Sequence, residues 1–139
     1  MGLAWLRVTT ILECEWRGVM EYTITTRLYE DVLEIQISGS GGAYNADAIA
    51  QDVIAAIRTE QVGKILIDVR PFKGRMSVAD TFFHVRRYPL DLRHVRTAVI
   101  DLKEHSAFTS FFETTASTLG FSIRHFNDIP DALAWLQSE

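Results

Sequence analysis

The residues whose types and spacing could carry chemistry gather between Asp68 and Asp101. Two aspartates sit at the ends of the two most apolar runs, Asp68 in ILIDV and Asp101 in VIDL. Carboxylates at the carboxyl ends of parallel strands stand where ligands enter open α/β sheets. Two of them together suit a hard cation such as magnesium, and the chemistry that follows is metal-assisted phosphoryl transfer. The competing reading gives each aspartate to the backbone amides of the loop behind it. No phosphate-cradling glycine motif follows either run, and neither aspartate has an acidic neighbour.

Ser77 is the second candidate. It stands at the mouth of an expected helix, behind Arg70, Lys73 and Arg75. A helix N-terminus offers free N–H groups and positive potential, so a phosphate on Ser77, or an anionic head group beside it, would be met by both. The plainer role is an N-cap, with Asp80 three residues on completing a variant capping box. Charge points the same way as the anion reading. Between Arg70 and Arg96 there are seven basic and two acidic residues, in a chain whose net charge is −4. Such a segment is an anion-facing patch if the fold keeps it together, and an ordinary solvated surface if it does not.

Other chemistries lack a pattern. His84, His94, His105 and His125 show no metal-ligand spacing. No G-x-S-x-G elbow occurs, and Cys14 is the single cysteine, so no nucleophile for covalent catalysis is supported. Five phenylalanines, Phe82, Phe83, Phe108, Phe111 and Phe112, exceed what one buried stripe needs. Phe83 and Phe111 fall at its margin, where they would line an apolar pocket or a dimer face.

The elements that must position these groups can be read in order. Residues 22–28 and 32–38 alternate as two strands around a short turn, with Leu33, Ile35 and Ile37 on one face and Glu34 and Gln36 on the other. Residues 46–60 repeat apolar positions as an amphipathic helix capped by Asn45. Residues 64–69 form a covered strand, residues 77–88 a helix burying Val78, Phe82 and Val85, and residues 97–102 a second covered strand. A helix capped by Ser106 follows, then a strand at 121–126 and a last helix capped by Asp128. The order β-β-α-β-α-β-α-β-α calls for an α/β fold, a mixed and mainly parallel sheet with helices packed on it.

The chain has 139 residues, 47% of them hydrophobic and 23% charged, which is the composition of one globular domain. Residues 1–20 match neither a strand nor a helix period. They are expected to be an extension, with Met20 as an alternative start, or else an added strand or arm. The domain proper then spans 21–139. No bilayer-spanning run or signal peptide is read, so the expected location is the cytoplasm, with peripheral contact at a membrane as an extension of the basic-loop reading.

The run ILIDVRPFKGRMS leading into a helix, and the closing run FFETTASTLGFSIRHFNDIPDALAWL, resemble the SpoIIAA-like bacterial family, which shares the fold of STAS domains, typified by anti-sigma-factor antagonists. The resemblance covers about residues 21–136. It implies that Ser77 occupies the place of the serine that antagonist STAS domains have phosphorylated by a partner kinase. In those domains an Asp precedes that serine and a small polar residue and Gly follow it; here Met76, Val78 and Ala79 stand there. The fold also resembles CRAL-TRIO lipid-binding domains, which implies an apolar ligand or a membrane surface.

The expectation is a non-catalytic binding or regulatory domain, without metal or cofactor and without a nucleic-acid partner. Its contact residues would be Arg70, Lys73, Arg75, Ser77, Phe82, Phe83, Arg86, Arg87 and Phe111. They would meet a small apolar or anionic ligand, a membrane surface, a protein partner or a second copy of the chain. The alternatives are a phospho-regulated antagonist switch at Ser77 and a phosphoryl-transfer enzyme using Asp68 and Asp101.

Overall fold

The computed structural model describes the backbone of residues 7–16 and 20–138 and the side chains of residues 22–138. The strands are β1 (Arg7–Trp16), β2 (Met20–Tyr29), β3 (Val32–Ser40), β4 (Lys64–Asp68), β5 (Phe72–Lys73), β6 (Arg96–Ile100) and β7 (Ser122–Phe126). The helices are α1 (Ala43–Glu60), α2 (Val78–Val85), α3 (Ser106–Thr118) and α4 (Ile129–Gln137). From β2 onward this is the expected order, with the two-residue β5 inserted before α2. The extension expected over residues 1–20 falls partly outside the described residues. Its described part, β1, is hydrogen-bonded antiparallel to β2.

The sheet runs β1-β2-β3-β4-β6-β7, with β5 pairing the end of β3. β1, β2 and β3 are antiparallel neighbours, and β3, β4, β6 and β7 are parallel. Alternation decides which face each strand offers. Leu33, Ile35 and Ile37 of β3 join Tyr22 and Ile24 of β2 and Ile65 of β4 in a cluster under α1, where Ile57 is buried and Ile49 and Val53 pack beside it. The other face of β4 and β6 offers Leu66, Ala98 and Ile100 to Ala132 and Leu136 of α4. Each large apolar side chain removed from water here stabilises by roughly 1.5–3 kcal/mol. α4 packs on β4, β6 and β7, which leaves the polar face of β2 and β3 to water, where Arg27 pairs with Glu34.

Three local details differ from the sequence reading. Asn45 is not the N-cap of α1; Gly42 is. Asn45 sits three positions in and turns back, its Oδ1 accepting from Gly42 N at 3.1 Å and its Nδ2 donating to Ser40 O at 3.0 Å. Ser106 is the first residue of α3 and makes no side-chain cap. The largest difference is the rotation of α2. Its buried residues are Thr81, His84 and Val85, while Val78, Phe82 and Phe83 are 62%, 40% and 60% exposed. Val78 and Phe82 thus lie outside the stripe they were expected to form. The caps at Ser77 and Asp128 are as expected, accepting from Asp80 N at 3.1 Å and Asp131 N at 2.8 Å.

Candidate functional site

The connection from β4 to α2 is built by two arginines and two aspartates. Asp68 ends β4, and its Oδ1 accepts from the backbone N–H and from Nε of Arg70, both at 3.0 Å, while Arg70 Nη2 donates to Oδ2 at 2.9 Å. Burial pushes the Asp68 carboxyl upward, and the hydrogen bonds from Arg70 outweigh it, holding the group below the usual carboxylate range. Asp101, one residue past β6, binds Arg75 in two places, Nε to Oδ2 at 3.1 Å and Nη2 to Oδ1 at 2.6 Å. Arg75 also donates to the carbonyls of Phe72, Gly74 and Val69.

This arrangement removes the basis for a shared metal. Asp68 stands level with Ile100 in the β4–β6 register, so the next residue, Asp101, points to the opposite face of the sheet. Asp101 lines the space under α1 to α3, whereas Asp68 faces the polar groove beside Gln36 and Ile129. Each carboxylate is closed by its own arginine. Among the described residues no three His, Cys, Asp or Glu side chains converge as metal ligands.

The basic segment is also divided by the fold. Arg70 pairs with Asp68, Arg75 with Asp101 and Arg87 with Asp47. Arg96 donates to Ser138 and lies over the Trp135 ring. Arg86 stacks on Phe82, its guanidinium 5.0 Å from the ring centre, and Lys73 is exposed. The +5 segment is therefore not one patch.

α2 presents two faces. Outward, Ser77, Val78, Phe82 and Phe83 are exposed, and Phe82 and Phe83 meet edge to face at 5.3 Å. Ser77 Oγ donates to the Asp80 carboxylate at 3.0 Å. Inward, His84 Nδ1 lies 2.9 Å from Asp47 Oδ1, and burial lowers its proton affinity more than Asp47 restores it. Phe111 is half-buried on α3, apart from the ring contacts that join Phe108 to Phe112.

Beneath α1, α2 and α3 lies a cavity of about 230 Å³. Ile67, Val99 and Ile123 form its floor, half-buried although they lie on inner strands or face covered layers. Ile49 and Val53 of α1 and Phe112 of α3 form its roof. Were it an internal void, cavity scaling would set its cost on the order of 5 kcal/mol, a large share of a domain's stability. The polar groups in its wall include Arg75, Asp101, His84, Tyr88 and His125. Tyr88 and His125 were not singled out as contact residues in the sequence. A tyrosine in the turn after α2 and a histidine in the last strand carry no pattern, and only packing shows them at one wall.

Two solved structures share the architecture. An anti-sigma factor antagonist from Mycobacterium paratuberculosis superposes with a TM-score of 0.57 at 16% identity, over 84% of this chain and 95% of its own. An uncharacterized protein with a SpoIIAA-like fold from Shewanella loihica superposes with a TM-score of 0.53 at 17% identity, over 94% of this chain and 99% of its own. The fold is SpoIIAA-like. No family model matches the chain, and no curated protein matches it in sequence. At these identities the likeness concerns the fold, so function must be argued from the site. Among the described residues no helix is long and apolar enough to cross a membrane.

Proposed function

We propose that this chain is a non-catalytic regulatory domain that docks a protein partner on the outer face of α2 and the loop before it. The observation that carries the reading is the rotation of α2. A helix with Val78, Phe82 and Phe83 turned to water leaves apolar area that a neighbour would bury. Aromatic anchors with an adjoining arginine, here Arg86 on Phe82, are the side chains that dominate binding at protein interfaces. An anionic membrane is less well served, because Arg70, Arg75 and Arg87 are already paired with carboxylates. The antagonist with the same fold, a regulatory protein by its name, lends general support.

The test places a photo-crosslinking residue at position 83, and separately at Lys103 as a control, in the chain expressed in its own cells. One partner should cross-link from position 83, and Val78→Ser with Phe82→Ser should lose it with an unchanged circular dichroism spectrum. Equal cross-linking from position 103, or retention by the double variant, would refute the docking face. A cross-link to a second copy would make the face a homodimer contact instead.

A second reading makes Ser77 a phosphorylation switch. Its exposure at the start of α2 favours this. The Asp80 carboxylate within hydrogen-bond reach opposes it, since a phosphate would meet like charge. Mass spectrometry of the peptide holding Ser77, from cells in growth and in starvation, decides the matter. Phosphate in either condition supports the switch, and its absence from both removes it.

A further inference from the structure

We infer that the cavity under α1, α2 and α3 is a binding site for a small neutral hydrophobe, on the order of ten non-hydrogen atoms, bearing one hydroxyl or carbonyl group. The size follows from the volume. A dry apolar cavity of about 150 Å³ takes up benzene, and this one holds about 230 Å³. The apolar character follows from the floor and roof already described. Water is a poor occupant, because each ordered water needs two to four polar partners and these walls offer few.

Neutrality follows from the state of each polar group in the wall. Arg75 is the cation there, and all five of its N–H donors are engaged: Nε on Asp101, Nη1 on Phe72 and Gly74, Nη2 on Val69 and Asp101. A carboxylate or phosphate entering the cavity would find no free donor on it. The Asp101 charge is likewise matched by Arg75, with the N–H of Leu102 donating to it at 2.7 Å, so a cationic ligand finds no unpaired carboxylate there. His84 is engaged with Asp47, and Asn45 with Gly42 and Ser40.

Tyr88 and His125 keep hydrogen-bonding capacity at one end of the cavity. Tyr88 makes ring contacts with His84, Phe112 and Phe121 and no hydrogen bond among the described residues. Burial holds its phenol protonated. His125 carries a buried Nδ1 with no hydrogen-bond partner; its nearest carboxylate oxygen, Glu113 Oε1, stands 3.6 Å away. The His125 side chain is 9% exposed, and burial lowers its proton affinity so that the ring stays neutral. Both rings pack against Phe112, so both belong to the same end of the cavity. A neutral oxygen function at that end would take up the capacity that the protein leaves unmet.

Three probes with one ring system test this by fluorescence titration of the full chain: naphthalene, 1-naphthol and 1-naphthoate. The expected result is saturable binding of naphthalene and of 1-naphthol at one site. 1-Naphthol should bind about ten-fold more tightly, the factor of one neutral hydrogen bond. 1-Naphthoate should bind at least about a hundred-fold more weakly than 1-naphthol, because its charge would be buried unpaired. The double change Tyr88→Phe with His125→Phe should equalise naphthalene and 1-naphthol without abolishing either. Val53→Phe, which fills the cavity, should abolish both; Ala50→Leu is the smaller filler if that variant does not fold. The inference is overturned if neither neutral probe binds the folded chain, if 1-naphthoate binds as tightly as 1-naphthol, or if a folded, cavity-filled variant binds undiminished. None of these outcomes depends on α2 as a docking face.

Discussion

Arg75→Ala is the substitution from which the structure demands most. The Arg75 and Asp101 side chains are 10% and 2% exposed. Removing the guanidinium deletes two bonds to the carboxylate and three to carbonyls. Asp101 keeps the Leu102 N–H and is otherwise left as a buried charge without a counter-ion. Breaking a buried pair from one side costs about 3–5 kcal/mol. In a chain of this length that lowers the midpoint of thermal unfolding by roughly 10–20 °C. Urea unfolding followed by circular dichroism measures the loss as a lower midpoint at unchanged slope. Arg75→Lys keeps the charge but replaces the planar fork with a single ammonium, so a loss of about 2 kcal/mol is expected. The double change Arg75→Met with Asp101→Leu separates pairing from packing. With no charge left to desolvate, it should recover most of what either single change loses. A loss below about 1 kcal/mol for Arg75→Ala is the value of an exposed pair, and would refute the claim that this contact holds the loop.

Two other predictions test neighbouring features. Gly74 has φ +95°, and a Cβ built there would stand 2.0 Å from the carbonyl oxygen of Gly41; Gly74→Ala should therefore destabilise by about 2 kcal/mol or more in the same urea assay, and an effect within about 0.5 kcal/mol would refute the close approach of the two backbones. His84 and His125 both have folded-state proton affinities lowered chiefly by burial. Their contribution to stability is complete above the ordinary histidine value of about 6.5 and is lost as pH falls below it, because the unfolded chain takes up protons that the folded chain refuses. The slope is at most about 1.4 kcal/mol per pH unit for each histidine, and His84→Gln with His125→Phe should flatten the decline between about pH 6.5 and 5; an unchanged slope would refute the burial argument.

Much of the fold was legible because β4 and β6 announce themselves by composition and β7 by alternation, and because Gly63, Pro89 and Gly120 mark where the helices before them end. Burial on one face of β3 followed from strict alternation at Leu33, Ile35 and Ile37. The rotation of α2 was not legible. Val78, Phe82 and Val85 keep a helical period, but so do Thr81, Val85 and Tyr88, and periodicity cannot say which arc turns inward. The structure chooses the second arc, placing His84 and Tyr88 against the cavity. Its unfilled space was hidden for a related reason, since Ile67, Val99 and Ile123 have the same letters whether their neighbours touch them or stand back. Arg75 was read as a contact residue because it precedes Ser77 in a basic run. Its partner lies 26 positions away, beyond any local pattern. The reading of Asp68 as an acceptor for its loop needed only the next turn of chain, and Arg70 N supplies that bond.

The connection between β4 and α2 contains proline and glycine, and by composition it would be a place where chain length can vary. Its contacts say otherwise. Arg70 ties its first turn to Asp68, Phe72 and Lys73 pair with the end of β3, Gly41 N donates to Lys73 O at 2.9 Å, and Arg75 reaches across the sheet edge to Asp101. Each tie fixes a different residue number, so one inserted residue anywhere between 71 and 75 puts the ties on either side of it out of step. Natural variants of this chain should therefore differ in sequence along this connection far more readily than in its length, and the start of α2 should keep its distance from Asp68 while its outward side chains change.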